Sequence, residues 1–330
     1  MPTLQNTPSL HTVRQLPAND TVQGFYLLIK IESRPKKSGE LFLSCELQDY
    51  SGKIEAKMWE NISEPLAELK PGDAVYVSGR VDHFNNIPSL VLAQLRKATE
   101  AEVPDRRQFL PHSSLSANEA NEKLASVIES VKHPALHQLL DTIFSDVKFR
   151  KGFLEAPGGK MWHHSTLGGL AEHTLSMIGL ADLICSHYPE FHRDLLISGA
   201  LLHDIGKVFE LQTEVGIDYT VEGRLLGHIT QGVLWIEKQM ESISDFSPEL
   251  RRQLLHLILS HQGDGTMGSP VKPMTREALA LHYLDELDSR MSAFAQVQAK
   301  TPEDQNFSDY VRLMDRFFYF RNPDDEETSK

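Results

Sequence analysis

Leu201-Leu202-His203-Asp204-Ile205-Gly206-Lys207 places a histidine beside an aspartate at the end of an apolar run. Residues 194–202 have the composition of a buried helix, and Gly206 stands where a glycine often ends a helix. A neutral imidazole and a carboxylate side by side suit one divalent cation. Lys207 would then project toward that cation, where a phosphate would lie. The pair is short, so its meaning depends on partners elsewhere in the chain.

The composition is that of a soluble globular protein, and 330 residues allow two or three domains. No apolar run reaches the length of a membrane span, and no signal peptide opens the chain. The two cysteines, Cys45 and Cys185, lie far apart and have the character of buried apolar residues in a reducing compartment. We therefore expect a cytoplasmic protein without a membrane partner.

The net charge of −13 is unusual for a protein that binds nucleic acid. Residues 1–100 are nearly neutral, with 11 Lys and Arg against 12 Asp and Glu, whereas residues 101–330 hold 22 against 34. Part of the excess lies in residues 323–330, which we predict to be a disordered acidic tail. The charge therefore neither excludes nor supports a nucleic-acid partner.

Residues 20–100 have the period-two pattern of β-strands, and residues 1–19 are predicted to be a flexible lead-in. Apolar side chains alternate with other residues in 25–32, 41–48, 53–59 and 75–81, and polar turns separate these runs. Five strands and a short helix near residues 63–69 predict a small closed barrel of the OB type.

The outer face of these strands combines aromatic and basic side chains. Its members are Tyr26, Phe42, Trp59, Tyr76, Lys30, Lys57 and Arg80. Single-stranded nucleic acid binds to such faces because bases stack on the rings and phosphates pair with the cations. Packing of the same rings against a neighbouring segment is an equally good interpretation. Residues 47–54, followed by Trp59, resemble one hairpin of nucleic-acid-binding OB domains, such as those that bind anticodons.

Residues 101–116 form a predicted linker, and residues 117–322 form a second, all-helical domain. Ser116 and Glu119 have the spacing of a capping box that opens the first helix. A small hairpin is predicted within residues 208–222. We predict helices at 117–131, 134–145, 166–187, 193–204, 228–242, 248–260, 275–297 and 306–320.

Two further residues of the helical domain have the character of metal ligands. His173 shares a helical stripe with apolar residues, and Asp285 lies on a mostly apolar helix. A carboxylate that faces a core is costly unless it is paired or binds a cation. Together with His203 and Asp204 they would supply four ligands from three helices and leave positions open for water and a phosphate oxygen.

The order His…His-Asp…Asp resembles the HD phosphohydrolase superfamily. The chain from about residue 20 to 320 resembles, more closely, the YhaM-type 3′-5′ exoribonucleases of bacteria. The segments that carry this resemblance, after the barrel, are His163-His164, Gly168–Thr174, His203–Lys207, Glu222–His228, Leu259–His261 and His282–Asp285.

The resemblance implies metal ligands at His173, His203, Asp204 and Asp285. It implies a second metal or a phosphate at His228 and His261, a phosphate at Lys207, and nearby substrate at His163 and His164. The family pattern usually has a second histidine after the position of His261, and this chain has Gln262 there. The resemblance therefore supports a site for one ion and leaves a second ion open.

Several residues keep alternative interpretations. Lys207 would also suit a solvated cation at a helix end, and His228 and His261 would also suit core histidines that support the ligands. His256 and His282 are expected to pack or to support ligands. Asp288 would either bind a ligand histidine or face water.

We expect a metal-dependent phosphodiesterase that degrades single-stranded RNA, and also single-stranded DNA, from the 3′ end. Catalytic roles fall to Asp204, Lys207 and His228, and Mn²⁺ is the expected ion, with Mg²⁺, Co²⁺ and Fe²⁺ as alternatives. One alternative is an HD-type hydrolase of nucleotides or cyclic nucleotides with a regulatory barrel, which predicts activity after deletion of residues 1–105. Another is a non-catalytic single-strand-binding protein. The sequence leaves the oligomeric state open, a homo-oligomer included.

Overall fold

The computed structural model describes residues 13, 20–84, 87–160, 164–214, 216–266, 268–302 and 304–321. The acidic tail, His163 and the lead-in apart from Val13 lie outside the described residues. The chain divides into two compact units. The first contains Met1–Ser114 together with Phe209–Leu225, and the second contains Leu115–Val208 with Leu226–Lys330.

The first unit is built on a closed barrel of five strands, which confirms the predicted OB-type fold. The strands close in the order β1-β2-β3-β5-β4, because β1 pairs with both β2 and β4. The β3–β5 pairing is parallel, and the other pairings are antiparallel. The elements are β1 (Thr21–Pro35), β2 (Leu41–Asp49), β3 (Gly52–Met58), α1 (Ser63–Glu68), β4 (Ala74–Phe84) and β5 (Ile87–Lys97).

The barrel core contains one residue that we predicted to lie on the outer face. Tyr26 is 2% exposed and belongs to the apolar cluster inside the barrel, so this prediction was wrong. Leu27 and Leu28 are buried as well, and the register of β1 against β2 shifts between Leu28 and Lys30. Because a bulge inserts one extra residue, the alternation of inward and outward side chains changes along β1.

The second unit is helical, and the fold class predicted for it is confirmed. Its first helix begins at the predicted capping box, in which Ser116 accepts from the Glu119 backbone and the Glu119 side chain accepts in return. The helices are α2 (Ala117–Ser130), α3 (Pro134–Ser145), α4 (Val147–Glu155), α5 (Gly169–His187), α6 (Arg193–Leu202), α7 (Lys207–Glu210), α8 (Val221–Met240), α9 (Pro248–Ser260) and α10 (Arg276–Lys300).

Several helical segments differ from the prediction. Helices α4 and α7 were not predicted, α8 begins at Val221 instead of residue 228, and the predicted helix at 306–320 is wrong. That segment instead forms isolated bridges between Phe307 and Tyr319 and between Val311 and Arg316. Asp315 has a φ of 52°, which marks the turn between the two sides. Aromatic residues favour extended backbone, and the segment from 306 to 320 is rich in them.

Helix α8 is interrupted at Gly227, whose φ of 70° and ψ of 158° are not helical. Glycine adopts this left-handed φ at little cost. The predicted hairpin is present as β6 (Leu211–Gln212) and β7 (Asp218–Tyr219), and it belongs to the barrel unit. Among the described residues no helix combines the length and apolar character that crossing a bilayer requires.

Candidate metal centre and nucleic-acid face

Six predicted metal-site residues come together inside the helical unit. All are buried except His228 and Asp285, which are half-buried. They lie on five elements: His173 on α5, His203 and Asp204 in the turn after α6, His228 in α8 after the break, His261 directly after α9, and Asp285 on α10.

Asp204 lies at the centre of this cluster, and its Oδ2 atom faces two histidines. The Oδ2 atom lies 3.3 Å from His203 Nε2 and 3.9 Å from His173 Nε2. His173 Nε2 lies 3.3 Å from His203 Nε2 and 3.2 Å from Asp285 Oδ1. Adjacent ligands of an octahedral ion, bound at about 2.1 Å, lie about 3 Å apart. His173, His203 and Asp204 therefore have the spacing of groups that share one divalent ion, and Asp285 lies beside them through its contact with His173.

The second oxygen of Asp204 faces the other two histidines. Its Oδ1 atom lies 3.3 Å from His228 Nε2 and 3.6 Å from His261 Nε2. The same carboxylate therefore belongs to two groups that could each hold a metal ion, one with His173 and His203 and one with His228 and His261.

The orientation of two histidines and two unpaired atoms supports metal binding. His203 Nδ1 donates to the Ala200 carbonyl at 2.8 Å, and His261 Nδ1 donates to the Ile258 carbonyl at 2.7 Å. Each bond leaves the Nε2 lone pair directed into the cluster. Asp204 Oδ1 and His261 Nε2 are buried and have no hydrogen-bond partner. Buried polar atoms are costly in this state, and a cation would satisfy both.

Asp288 contacts a ligand histidine from behind, which decides between its two predicted roles. Its Oδ2 atom accepts from His173 Nδ1 at 2.7 Å and from His164 Nε2 at 2.9 Å. Its Oδ1 atom accepts from Ser176 Oγ at 2.5 Å. A carboxylate in this position fixes the ring of a metal-binding histidine and makes its other nitrogen more basic.

The electrostatic state of the cluster is set by its carboxylates. Burial would lower the pKa of His173, but hydrogen bonds to Asp285 and Asp288 outweigh burial and raise that pKa to about 9. Burial also disfavours ionisation of Asp204, yet the positive charge of Lys207 holds the pKa of that carboxyl well below its usual range. Without an ion, the cluster therefore pairs a cationic His173 with ionised acids.

Lys207 lies inside the cluster and is only 8% exposed, so the alternative of a solvated cation at a helix end is wrong. Its Nζ atom lies 2.5 Å from Asp204 Oδ2 and donates to the Gly158 carbonyl at 2.6 Å. A phosphate contact by Lys207 stays a prediction.

Gly206 does not end α6 in the left-handed conformation, and His203 occupies the C-cap position instead. The expected role of Gly206 was therefore wrong. A Cβ atom on Gly206 would lie 2.0 Å from the backbone oxygen of His228. The glycine lets the backbone of α8 approach the turn that carries the His-Asp pair.

Gln262, at the position where the family resemblance implies a histidine, contacts the second group of ligands. Its amide nitrogen lies 3.2 Å from His228 Nε2. In this orientation the amide donates to the same nitrogen that faces Asp204 Oδ1. The Gln262 contact therefore falls on His228, which belongs to the second group of ligands.

The other histidines near the cluster are held by hydrogen bonds. His164 lies between Asp288 and Glu172, whose Oε2 atom is 3.6 Å from His164 Nδ1. His282 Nδ1 donates to the His261 carbonyl at 2.8 Å, and His256 Nε2 accepts from the Met274 backbone at 2.9 Å.

Two residues near the ligands, Ser176 and Glu172, were not predicted. Ser176 lies three residues after His173 and therefore on the same side of α5, which was a usable signal.

Four of the seven predicted outer-face residues lie near one another on the barrel: Phe42 on β2, Lys57 on β3, Trp59 just after β3, and Arg80 on β4. The rings of Phe42 and Trp59 are 4.8 Å apart. Lys57 is paired in register with Val91, and Val91 is paired with Arg80. The outer surface thus carries two rings and two cations, with Val91 of β5 between Lys57 and Arg80, and Trp59 is 41% exposed.

Tyr76 belongs to a separate cluster on the same barrel. Its ring lies 5.4 Å from Phe25, and the guanidinium of Arg96 lies 4.6 Å from its centre. Arg96 is ion-paired with Glu102 at 2.8 Å. Tyr76 is half-buried, and a contact between Tyr76 and a nucleic-acid strand stays a prediction.

The barrel and the helical domain each match a known protein family. Residues 21–98 match the OB-fold nucleic acid binding domain family, and residues 170–290 match the HD domain family. The solved second OB-fold domain of replication protein A from Methanococcus maripaludis is 20% identical and covers 26% of this chain and 92% of that chain, with a TM-score of 0.22.

Relatives match nearly the whole chain. The 3′-5′ exoribonuclease YhaM of Bacillus subtilis is 37% identical over 295 residues, which cover 89% of this chain and 93% of that protein. The 3′-5′ exoribonuclease YhaM of Bacillus licheniformis is also 37% identical over the same shares of the two chains. With this identity over both domains, the chain belongs to the YhaM family of 3′-5′ exoribonucleases.

Proposed function

We propose that this protein is a metal-dependent 3′-5′ exoribonuclease that degrades single-stranded RNA, with single-stranded DNA as a second substrate. The observation that carries the proposal is the meeting of His173, His203 and Asp204 at one buried point, with Asp285 in contact with His173. Relatives named for this activity, which match both domains, support it.

The chemistry of the donor set favours Mn²⁺. Imidazole and carboxylate ligands together suit Mn²⁺, and they also accept Mg²⁺, Co²⁺ or Fe²⁺. When bound, such an ion lowers the pKa of a water molecule and takes up charge on phosphoryl oxygens. His173, His203, Asp204 and Asp285 would hold it.

Residues around the ligands would prepare them for binding. Asp288 holds His173 by its Nδ1 atom and so directs Nε2 toward the ion site. Lys207 pairs with Asp204 and keeps that carboxylate ionised. Its ammonium group is the cation best placed to approach a phosphate oxygen bound near Asp204, and we propose that role for it.

His228 and His261 would form, with Asp204 Oδ1, a second and weaker ion site. Gln262 competes for the lone pair of His228 Nε2, so the second site should bind less tightly than the first. When no ion is bound there, rotation of the Gln262 amide would present its oxygen to His228, and the same Nε2 atom could then carry a proton toward the leaving oxygen. Calorimetric titration with Mn²⁺ should show one tight site, and Gln262→His should strengthen the second. Two equal sites in the wild type would contradict this order.

The barrel face would bind the strand. We propose that bases stack on Trp59 and Phe42 and that phosphates pair with Lys57 and Arg80. His163 and His164 would lie near the substrate, as the family resemblance implies. His164 lies beside His173, with ring centres 5.1 Å apart.

The test is a time course with single-stranded RNA labelled at its 5′ end, run with Mn²⁺, Mg²⁺ and Co²⁺ in turn. We expect a ladder that shortens progressively from the 3′ end and disappears when the ion is chelated. Asp204→Ala should abolish shortening while binding of the oligonucleotide persists. Asp245→Ala is the matched control, because it also removes a carboxylate, but an exposed one in the turn between α8 and α9 that is not among the proposed ligands.

Each other outcome has a defined meaning. Intact RNA together with hydrolysis of free or cyclic nucleotides would favour a nucleotide phosphohydrolase. Tight binding without shortening under every ion would favour a non-catalytic binder. Turnover that survives Asp204→Ala would remove Asp204 from the mechanism.

A further inference from the structure

The outward side of α10 carries large apolar side chains at every fourth residue. Leu279, Tyr283, Leu287 and Met291 are 48%, 61%, 48% and 55% exposed. Residues four apart lie above one another on a helix, so these side chains form one stripe about 18 Å long. We call them the α10 stripe. Asp285 and Asp288, on other sides of the same helix, belong to the metal cluster.

The charges beside the α10 stripe are balanced. Glu286 and Arg290 are ion-paired with each other at 2.5 Å. Arg276 at the start of the helix donates to the Glu190 carbonyl and lies against the ring of Phe191. The four side chains of the stripe are themselves uncharged, and Glu286 and Arg290 of the same helix neutralise each other, which suits contact with a second copy better than contact with a nucleic-acid strand.

A second apolar surface adjoins the end of α10. The extended segment 306–320 is anchored there because Phe318 and Phe320 contact the ring of Phe294, at 5.0 and 5.2 Å between centres. Its other large side chains point outward and are close to half exposed or more. They are Phe307, Tyr310, Leu313, Phe317 and Tyr319.

The area of these surfaces is that of a protein–protein interface. A half-exposed aromatic or long aliphatic side chain offers roughly 100 Å², so the two surfaces together offer on the order of 900 Å². Stable interfaces bury about 800 Å² per partner, and monomers rarely expose apolar patches of more than a few hundred Å².

The spacing of the α10 stripe matches itself under a twofold rotation. When two copies of α10 pack antiparallel about an axis near residue 285, Leu279 lies opposite Met291 of the partner subunit. Tyr283 then lies opposite Leu287 of the partner subunit. Every contact is between an aliphatic or aromatic pair, as an interface formed by the same patch on both subunits requires.

We propose that the α10 stripe, extended by the segment 306–320, is the interface at which two copies of this chain associate. The interface would lie on the helix that presents Asp285 and Asp288 to the metal cluster. Association would therefore cover the exposed side of α10 and stabilise the position of the helix.

Sedimentation velocity and light scattering of the full-length protein test the proposal. The wild type should have at least twice the 37.3 kDa mass of one chain. Tyr283→Glu and Leu287→Glu should each halve the mass of the assembly, because the antiparallel packing would bury their charges. Val147→Glu, at an exposed apolar position on α4, is the control and should leave the mass unchanged.

A second measurement covers variants that fail to fold. Oxidation of the double variant Tyr283→Cys, Leu287→Cys should give covalent dimers, whereas Val147→Cys should not. The proposal is overturned if the wild type is monomeric at micromolar concentrations. It is equally overturned if the control charge dissociates the assembly as strongly as the stripe charges, or if the double cysteine variant does not cross-link.

Discussion

Replacing Asp288 by asparagine tests whether a carboxylate that touches no ion sets the strength of ion binding. Asp288 accepts hydrogen bonds from His173 and His164 through one oxygen and from Ser176 through the other. An amide has nearly the same shape but no charge. Hydrogen bonds to charged groups contribute about 1.5–3 kcal/mol and neutral ones about 0.5–1.5 kcal/mol, so the substitution weakens the His173 contact by on the order of 1 kcal/mol.

A loss of about 1 kcal/mol corresponds to about a fivefold weaker Mn²⁺ affinity, and looser orientation of the His173 ring should bring the total loss to about 10- to 100-fold, the usual effect of losing a partner behind a ligand histidine. Isothermal titration of the metal-free protein measures the affinity directly. RNA degradation should recover when Mn²⁺ is raised to saturation. Glu172→Gln is the matched control, because it removes a carboxylate charge that faces His164 instead, and its effect should be smaller. An unchanged Mn²⁺ dissociation constant in a folded Asp288→Asn protein would refute the reasoning.

Three further predictions concern the barrel, the His-Asp turn and the protonation of the cluster. Trp59→Ala and Phe42→Ala should each weaken binding of single-stranded RNA by about 1–3 kcal/mol, measured by fluorescence anisotropy; unchanged affinity would identify the rings as packing residues. Gly206→Ala should destabilise the fold by about 1–3 kcal/mol in urea unfolding, because its Cβ would overlap a backbone oxygen at 2.0 Å. Gly179→Ala on α5, where the Cβ meets nothing within 4 Å, should stabilise the fold by about 0.5–1 kcal/mol, and equal effects at the two glycines would contradict the steric argument. Because the pKa of His173 is about 9 without an ion, Mn²⁺ binding near pH 7 should release about one proton and tighten as the pH rises toward 9, so calorimetric heats that do not depend on the buffer would count against this assignment.

The strands and long helices were predictable because their apolar periods are regular. The predictions failed where one local feature overrides the period. A bulge in β1 moves Tyr26 into the core, and nothing in the alternation of that strand reveals it. The short helix α4 has only nine residues, with three of them basic, and its clearest sign is the N-cap at Asp146. Segment 306–320 has apolar residues at helical spacings, but its aromatic rings pack as an extended pair.

His173, His203, Asp204 and Asp285 could be proposed from the character of their helices, but His228 and His261 were added only through family resemblance, because residues of five separate elements must meet. Periodicity indicated that His173 and Asp285 face inward, but it gave no distance between them. It also could not decide between the two roles of Asp288, which lies one turn from Asp285 on α10. The structure shows that the two carboxylates contact opposite nitrogens of the same imidazole. That arrangement depends on the depth at which α5 and α10 pack, which sequence spacing does not fix.

The membership of Phe209–Leu225 in the barrel unit has a practical consequence for dissecting this protein. A Cβ on Gly216 in that segment would touch Ile29 of the barrel, so the segment Phe209–Leu225 lies against strand β1. Lys207 lies two residues before this segment, and His228 lies three residues after it. Deleting residues 1–105 would therefore remove the support of a loop whose two ends lead directly to residues of the proposed site. Loss of activity after such a deletion would not reveal what the barrel does for substrate, and surface substitutions on an intact chain are the cleaner tool.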